Sequence, residues 1–135
     1  MTTTTTTTAA DATAEIDAVL AATYQAWADN DADAFVRHYT EDATALLPGS
    51  LRAGRTAVRD AMAAGFAGPL RGSRTVDRRL SLRFAGADAA IAVHESGILL
   101  AGETEVPAER RVNATWVFEK RDGRWMIAAY HNSPA

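Results

Sequence analysis

Apolar positions along the chain first recur with helical spacing. Ile16, Val19, Leu20, Thr23 and Trp27 fall three and four residues apart and predict an amphipathic helix that ends around Asp29. Asn30 and Asp31 break that stripe, and Asp31 is placed to cap a second short helix over 32–39, with Phe35 and Tyr39 on one face. The apolar run 43–47, stopped by Pro48-Gly49, reads as a strand entering a loop. A third helix is expected over 55–66, where Val58, Met62 and Phe66 stand four apart and Gly65, Gly68 and Pro69 close the segment. The remainder has strand character over 75–84, 89–100, 111–120 and 125–131, an antiparallel meander.

Asp122-Gly123 is the strongest local signal, because a two-residue type I′ turn needs positive φ at both positions and these residues tolerate it. Pairing Arg121 with Arg124 then sets Phe118 against Ile127, Trp116 against Ala129 and Ala114 against His131 on one face. The other face carries Asn113, Thr115 and Val117 beside Met126, Ala128, Tyr130 and Asn132. Three helices cover only one side of a four-stranded sheet. The heavily apolar side, with Trp116, Phe118, Trp125 and Ile127, is therefore expected to meet a second copy of the chain, giving a homodimer.

Composition narrows the class. At 135 residues the chain is expected to be a single domain over 11–135, preceded by a disordered, Thr-rich tail over 1–10. A chain of this length buries roughly 68% of its unfolded surface, enough for a core without staples. The absence of cysteine excludes disulfide scaffolds, thiolate zinc sites, iron–sulfur clusters and cysteine nucleophiles. No uncharged apolar stretch nears the roughly 20 residues that span a bilayer, and the start lacks a signal-peptide pattern, so a cytoplasmic protein with no membrane partner is expected. Positions 11–42 hold eight acidic residues and one arginine, whereas 52–83 hold eight arginines and two aspartates. The arginines lack the interleaved aromatics of a nucleic-acid surface, and no nucleic-acid partner is expected.

Four short segments carry a family likeness: Ala26-Trp27 through Asp31 to Phe35, Tyr39-Thr-Glu-Asp42, Gly54-Arg55-Thr-Ala-Val58 and Asp122-Gly123-Arg124-Trp125. In this order, with the element pattern above, the chain resembles the cone-shaped α+β fold shared by nuclear transport factor two, scytalone dehydratase, ketosteroid isomerase and SnoaL-like polyketide cyclases. The resemblance covers about residues 11–134. Leu46-Leu47-Pro48-Gly49, the 63–69 and 97–104 segments and Ala129-Tyr-His-Asn-Ser-Pro134 look closer to the SgcJ/EcaC branch, found in actinomycete gene clusters that include those for enediyne polyketides. That branch's oxidoreductase label finds no support, since no dinucleotide or flavin signature follows a strand.

The resemblance implies a curved sheet whose concave side, closed by three helices, holds a deep apolar pocket, and whose convex side commonly dimerises. It assigns to the pocket Trp27, Tyr39, Leu47, Met62 and Phe66, with His94, Asn113, Thr115, Tyr130 and Asn132 from the strands. It also implies that ketosteroid isomerase chemistry is absent. Leu47 stands where the carboxylate base belongs and Thr115 where the protonated acid belongs, while the oxyanion tyrosine matches Thr23 or, with a one-residue gap, Tyr24.

His94 is the best titratable candidate for catalysis, with a core histidine and a ligand hydrogen bond as its other readings. His131 falls on the opposite face and His38 on a polar helix face. No three histidines or carboxylates have ligand spacing, so neither metal nor cofactor is expected. Asp77, Glu95, Glu103, Glu105 and Glu109 read as solvated, and no Gly-x-Ser-x-Gly elbow is present. Three functions follow. The first is a pocket that holds a hydrophobic, polyketide-like small molecule for natural-product biosynthesis. The second is a cofactor-independent acid/base enzyme of cyclase, isomerase or dehydratase type, and the third is a structural dimerisation module.

Overall fold

In the computed structural model, which describes residues 8–135, three helices pack on one face of a six-stranded sheet. The helices are α1 (Ala9–Ala28), α2 (Ala32–Phe35) and α3 (Arg55–Ala67). The strands are β1 (Tyr39–Leu47), β2 (Ser50–Ala53), β3 (Arg74–Phe84), β4 (Ala89–Leu99), β5 (Val112–Arg121) and β6 (Arg124–Pro134). Their order is β2-β1-β6-β5-β4-β3, with β1 parallel to β6 and every other pair antiparallel. This is the expected cone-shaped α+β class, with two strands more than the four-stranded meander.

Local chemistry sets the helix boundaries. Thr8 caps α1 in a reciprocal capping box with Asp11, so the helix starts at Ala9, inside the expected tail; positions 1–7 of that tail lie outside the described residues. Ile16, Val19, Leu20, Thr23 and Ala26 form the buried stripe. The Asp31 carboxylate accepts the Ala34 N–H at 3.0 Å to start α2. That helix ends at Phe35 and not, as expected, at Tyr39, which opens β1 by pairing with Ile127 of β6. The i, i+4 spacing of Phe35 and Tyr39 fits a helix, but pairing with Ile127 makes Tyr39 a strand residue. β2, short and half exposed, carried no apolar period to reveal it.

The Asp122-Gly123 turn adopts positive φ at both residues (51° and 77°), and pairs Arg121 with Arg124 and Phe118 with Ile127 as expected. Beyond that point the register slips. Val117 pairs with Ala129, leaving Ala128 unpaired, so Trp116 faces Tyr130 and Ala114 faces Asn132. The bulge reverses the expected placement of the far half of β6. Tyr130 and Asn132 share a face with Trp116, while His131 turns to the other side beside Thr115.

Trp116, Phe118, Trp125 and Ile127 are 4%, 0%, 3% and 0% exposed within a single chain. They are core residues under the helices, which corrects their expected role at an interface between copies. The inward rows alternate large and small: Ala90, Phe118 and Ile127 in one, Ala92, Trp116 and Tyr130 in the next, then His94, Ala114 and Asn132. The 100–111 connection folds over the opposite, convex face. It approaches so closely that a Cβ on Gly97 would stand 2.5 Å from Val106 Cγ1.

Core and interface roles are separable by measurement. Phe118→Ala is expected to cost about 3–5 kcal/mol of unfolding free energy, and the loss should be the same at low and high protein concentration. A loss that depends on concentration would return Phe118 to an interface.

Candidate functional site

Between the helices and the concave face lies a cavity of about 410 Å³, walled mainly by aromatic and aliphatic side chains. Its rings lean on one another. Trp27 of α1 meets Phe35 of α2 edge-on at 5.8 Å and Phe66 of α3 at 5.6 Å. Across the space, Trp116 stands 4.4 Å from Tyr130 and 6.2 Å from Tyr24. Trp27 is fixed by a polar lattice at the end of α1. Its indole N–H donates to Ser73 Oγ at 2.9 Å, that hydroxyl donates to Leu70 O at 2.6 Å, and Asn30 Oδ1 accepts the Gly72 N–H at 2.7 Å.

Of the residues expected in the pocket, Tyr24, Trp27, Tyr39, Leu47, Met62, Tyr130 and Asn132 line this cavity. Phe66 is buried against Trp27 without lining it. Asn113 and Thr115 are corrections. Strand alternation from the buried Trp116 and Ala114 turns them to the convex face, where they border a separate shallow groove with His131. His94 faces the concave side but does not reach the cavity. It is 2% exposed, with Nδ1 at 2.8 Å from Asp77 Oδ2.

Asp77 is the residue that sequence reasoning missed. Read as a solvated strand acid, it is largely buried, and its register opposite Ser96 depends on a β3 that slips at Leu80 and a connection without a tight turn. A tautomer that donates its Nδ1 proton to the carboxylate leaves Nε2 as an acceptor. Neither that Nε2, nor Asp77 Oδ1, nor Trp116 Nε1 has a hydrogen-bond partner among the described residues. Tyr24 joins this group, since its phenol feels both the Asp77 carboxylate and the Trp116 indole. Arg52 and Arg110 also line the cavity and had no signal of their own: one sits on the unrecognised β2, the other in a long connection.

The phenols are held neutral. Burial first, and then the Asp77 carboxylate, push Tyr24 far above its usual value. Burial pushes Tyr39 far up as well, and raises Tyr130. A phenol that keeps its proton has an O–H to donate, and the Tyr130 hydroxyl also accepts from the Asn132 amide at 3.0 Å. Among the described residues, no three histidine or carboxylate groups cluster to hold a metal, and no helix is long and apolar enough to cross a membrane.

The fold and its walled cavity define a class, and the comparisons give it a name. The chain belongs to the SnoaL-like domain family, whose model matches residues 16–135. Among curated proteins none matches the sequence. Among solved structures, the chain is similar to a domain of unknown function with a cystatin-like fold from Nostoc punctiforme. The two are 25% identical with a TM-score of 0.86, over 96% of this chain and 80% of that one. It is also similar to an NTF-2 like protein of unknown function from Shewanella oneidensis, at 22% identity and a TM-score of 0.77 over 90% and 98% of the two chains. A ketosteroid isomerase-like protein from Erwinia carotovora shares 19% identity with a TM-score of 0.70, over 89% and 93%. At these latter identities the likeness is one of fold.

The phenol placement predicts a pH effect whose sign is fixed. A tyrosine whose folded-state value is raised gives its full stabilisation below the unfolded value of about 10 and loses it above, because only the unfolded chain then releases the proton. Near-ultraviolet titration should show no phenolate in the native protein at pH about 10, with absorbance from all three tyrosines appearing together with unfolding. A tyrosine that titrates reversibly there in the folded state would contradict its burial.

Proposed function

We propose that the protein holds a hydrophobic, polyketide-like small molecule in the cavity, as a cytoplasmic component of natural-product biosynthesis of the enediyne kind. The observation that carries this reading is the cavity itself. A space of about 410 Å³, apolar-walled with a few convergent polar tips, falls within the range of small-molecule sites, roughly 300–1,000 Å³. The SnoaL-like family and the SgcJ/EcaC-like segments support the ligand class.

A second reading is acid/base catalysis without a cofactor. What favours it is the Asp77–His94 pair with its free Nε2, beside a neutral phenol at Tyr24. In that reading His94 moves the proton, Asp77 holds the tautomer and Tyr24 donates to a developing oxyanion.

The small molecule carried through purification, identified by mass, supplies the ligand for a test of both. For a binding protein, Trp27→Ala should weaken affinity more than His94→Gln, since Trp27 is an aromatic wall of the cavity and His94 lies behind that wall. For an enzyme, His94→Gln should lower turnover by roughly 10²- to 10⁴-fold with little change in affinity. If neither variant alters binding or turnover, the site lies elsewhere. Circular dichroism shows whether each variant is folded.

We also propose that the protein is a homodimer, through the face opposite the one first expected. Ile91, Val93, Val117 and Ala129 form adjoining, half-buried positions on the convex side. Light scattering should give twice the chain mass, and Val93→Glu should give a monomer that still binds ligand. A monomeric wild type would refute this interface.

A further inference from the structure

Two guanidinium groups reach the cavity, and their surroundings differ. Arg110 is bridged to Glu103, whose carboxylate also accepts the Leu100 N–H at 2.7 Å. Arg52 has no carboxylate within ion-pair reach among the described residues. Its polar contact is the Met62 thioether, with Nη1 at 3.7 Å from Sδ. No aspartate or glutamate lines the cavity. Arg52 enters from β2 opposite Ala45, itself a buried wall residue. It is half-buried and shares the cavity lining with Tyr39 and Tyr130.

A half-buried arginine facing an apolar space without a counter-charge is an unusual element of a pocket for neutral hydrocarbons. Desolvation weakens its hydration, and the low surrounding dielectric strengthens any anion that reaches it. Its planar fork suits a carboxylate in two parallel hydrogen bonds. We propose that Arg52 docks an acidic group, so that the ligand is an apolar acid: its carboxylate on Arg52, its unsaturated body against the rings of Trp27, Trp116 and Tyr130. This rests on the small-molecule reading of the cavity and adds its charge requirement. Bound this way, the acid end lies near Tyr39 and Tyr130, whose neutral phenols offer further donors.

A matched pair of fluorescent probes tests the charge alone. Anilinonaphthalene sulfonate, whose sulfonate stands in for the carboxylate, is compared with N-phenyl-naphthylamine, the same ring system without the acid. The wild type should bind the sulfonate at least about ten-fold more tightly, the scale of one charge-assisted hydrogen-bond pair. Arg52→Gln should abolish that preference, bringing the affinities for the two probes together. Arg52→Lys should restore part of it, since a point charge replaces the fork. Arg83→Gln, on an exposed convex-face residue, should change neither affinity. Equal wild-type affinity for the two probes, a measurement that needs no variant, overturns the proposal and leaves the cavity reading standing. So does a preference that survives in Arg52→Gln with both probes still bound. Failure of both probes to bind the wild type removes the cavity reading and this inference with it.

Discussion

One unpaired residue, Ala128, decides which side chains face the helices. The Asp122-Gly123 turn sets the register of β5 and β6, and strict alternation from that turn would send Tyr130 and Asn132 outward. The single-residue slip between Phe118 and Val117 turns them in. Everything in the cavity that involves β6 depends on it: the contact of the Trp116 and Tyr130 rings, the Asn132 amide donating to the Tyr130 hydroxyl at 3.0 Å, and the pairing of Tyr130 with Ala45 of β1. A second slip, at Leu80 on β3, acts at the opposite flank of the sheet. Bulges bend strands and increase twist. With a third irregularity between Tyr39 and Thr44, where β1 meets β6, they accompany a concave face that three helices close while a cavity remains.

What the sequence disclosed follows the range of the signals. Features encoded by neighbours within a few residues were readable: the α1 stripe, the Asp31 cap, the spacing of Val58, Met62 and Phe66, and the Asp-Gly turn. Features created by pairing across long separations were not. Tyr39 is a strand residue because Ile127 lies beside it, and nothing between residues 32 and 39 says so. The bulge left no mark, since Ala128 and Ala129 look alike and either one can be skipped. That single ambiguity propagated into the candidate site. The resemblance assigns Tyr130 and Asn132 to the pocket together with Asn113 and Thr115, and unbroken alternation agrees with it in placing all four on one face. With the slip the four divide, two inward and two outward, and the large apolar set becomes core.

The same logic explains Asp77. A carboxylate on an arginine-rich strand, with Arg74, Arg78, Arg79 and Arg83 around it, reads as one more solvated charge. Its neighbours divide by face. Arg78 pairs with Glu95 on the convex side, while Arg79, opposite His94, pairs with Asp17 of α1. Asp77 lies on the inward side too, but beneath Tyr24, where the available partner is an imidazole. The burial that makes this carboxylate interesting is therefore a product of where α1 crosses β3.

The ionisable groups around the cavity do not stand at the positions that the resemblance to ketosteroid isomerase implies. The positions the resemblance assigns to a carboxylate base and a protonated acid hold Leu47, a wall residue without a titratable group, and Thr115, which faces away from the cavity. The inward acid of this chain is on β3, paired with a histidine on β4, and the cation is on β2. Those are the two ends of the sheet order. Tyr130, on the central β6, registers both: Asp77 disfavours its ionisation and Arg52 favours it. Arg52 lines the cavity at one flank, Asp77 lies behind its wall at the other, and the neutral phenols stand between them. The fold supplies the container, and the residues at its two edges, remote in sequence and read by no local pattern, give it a direction.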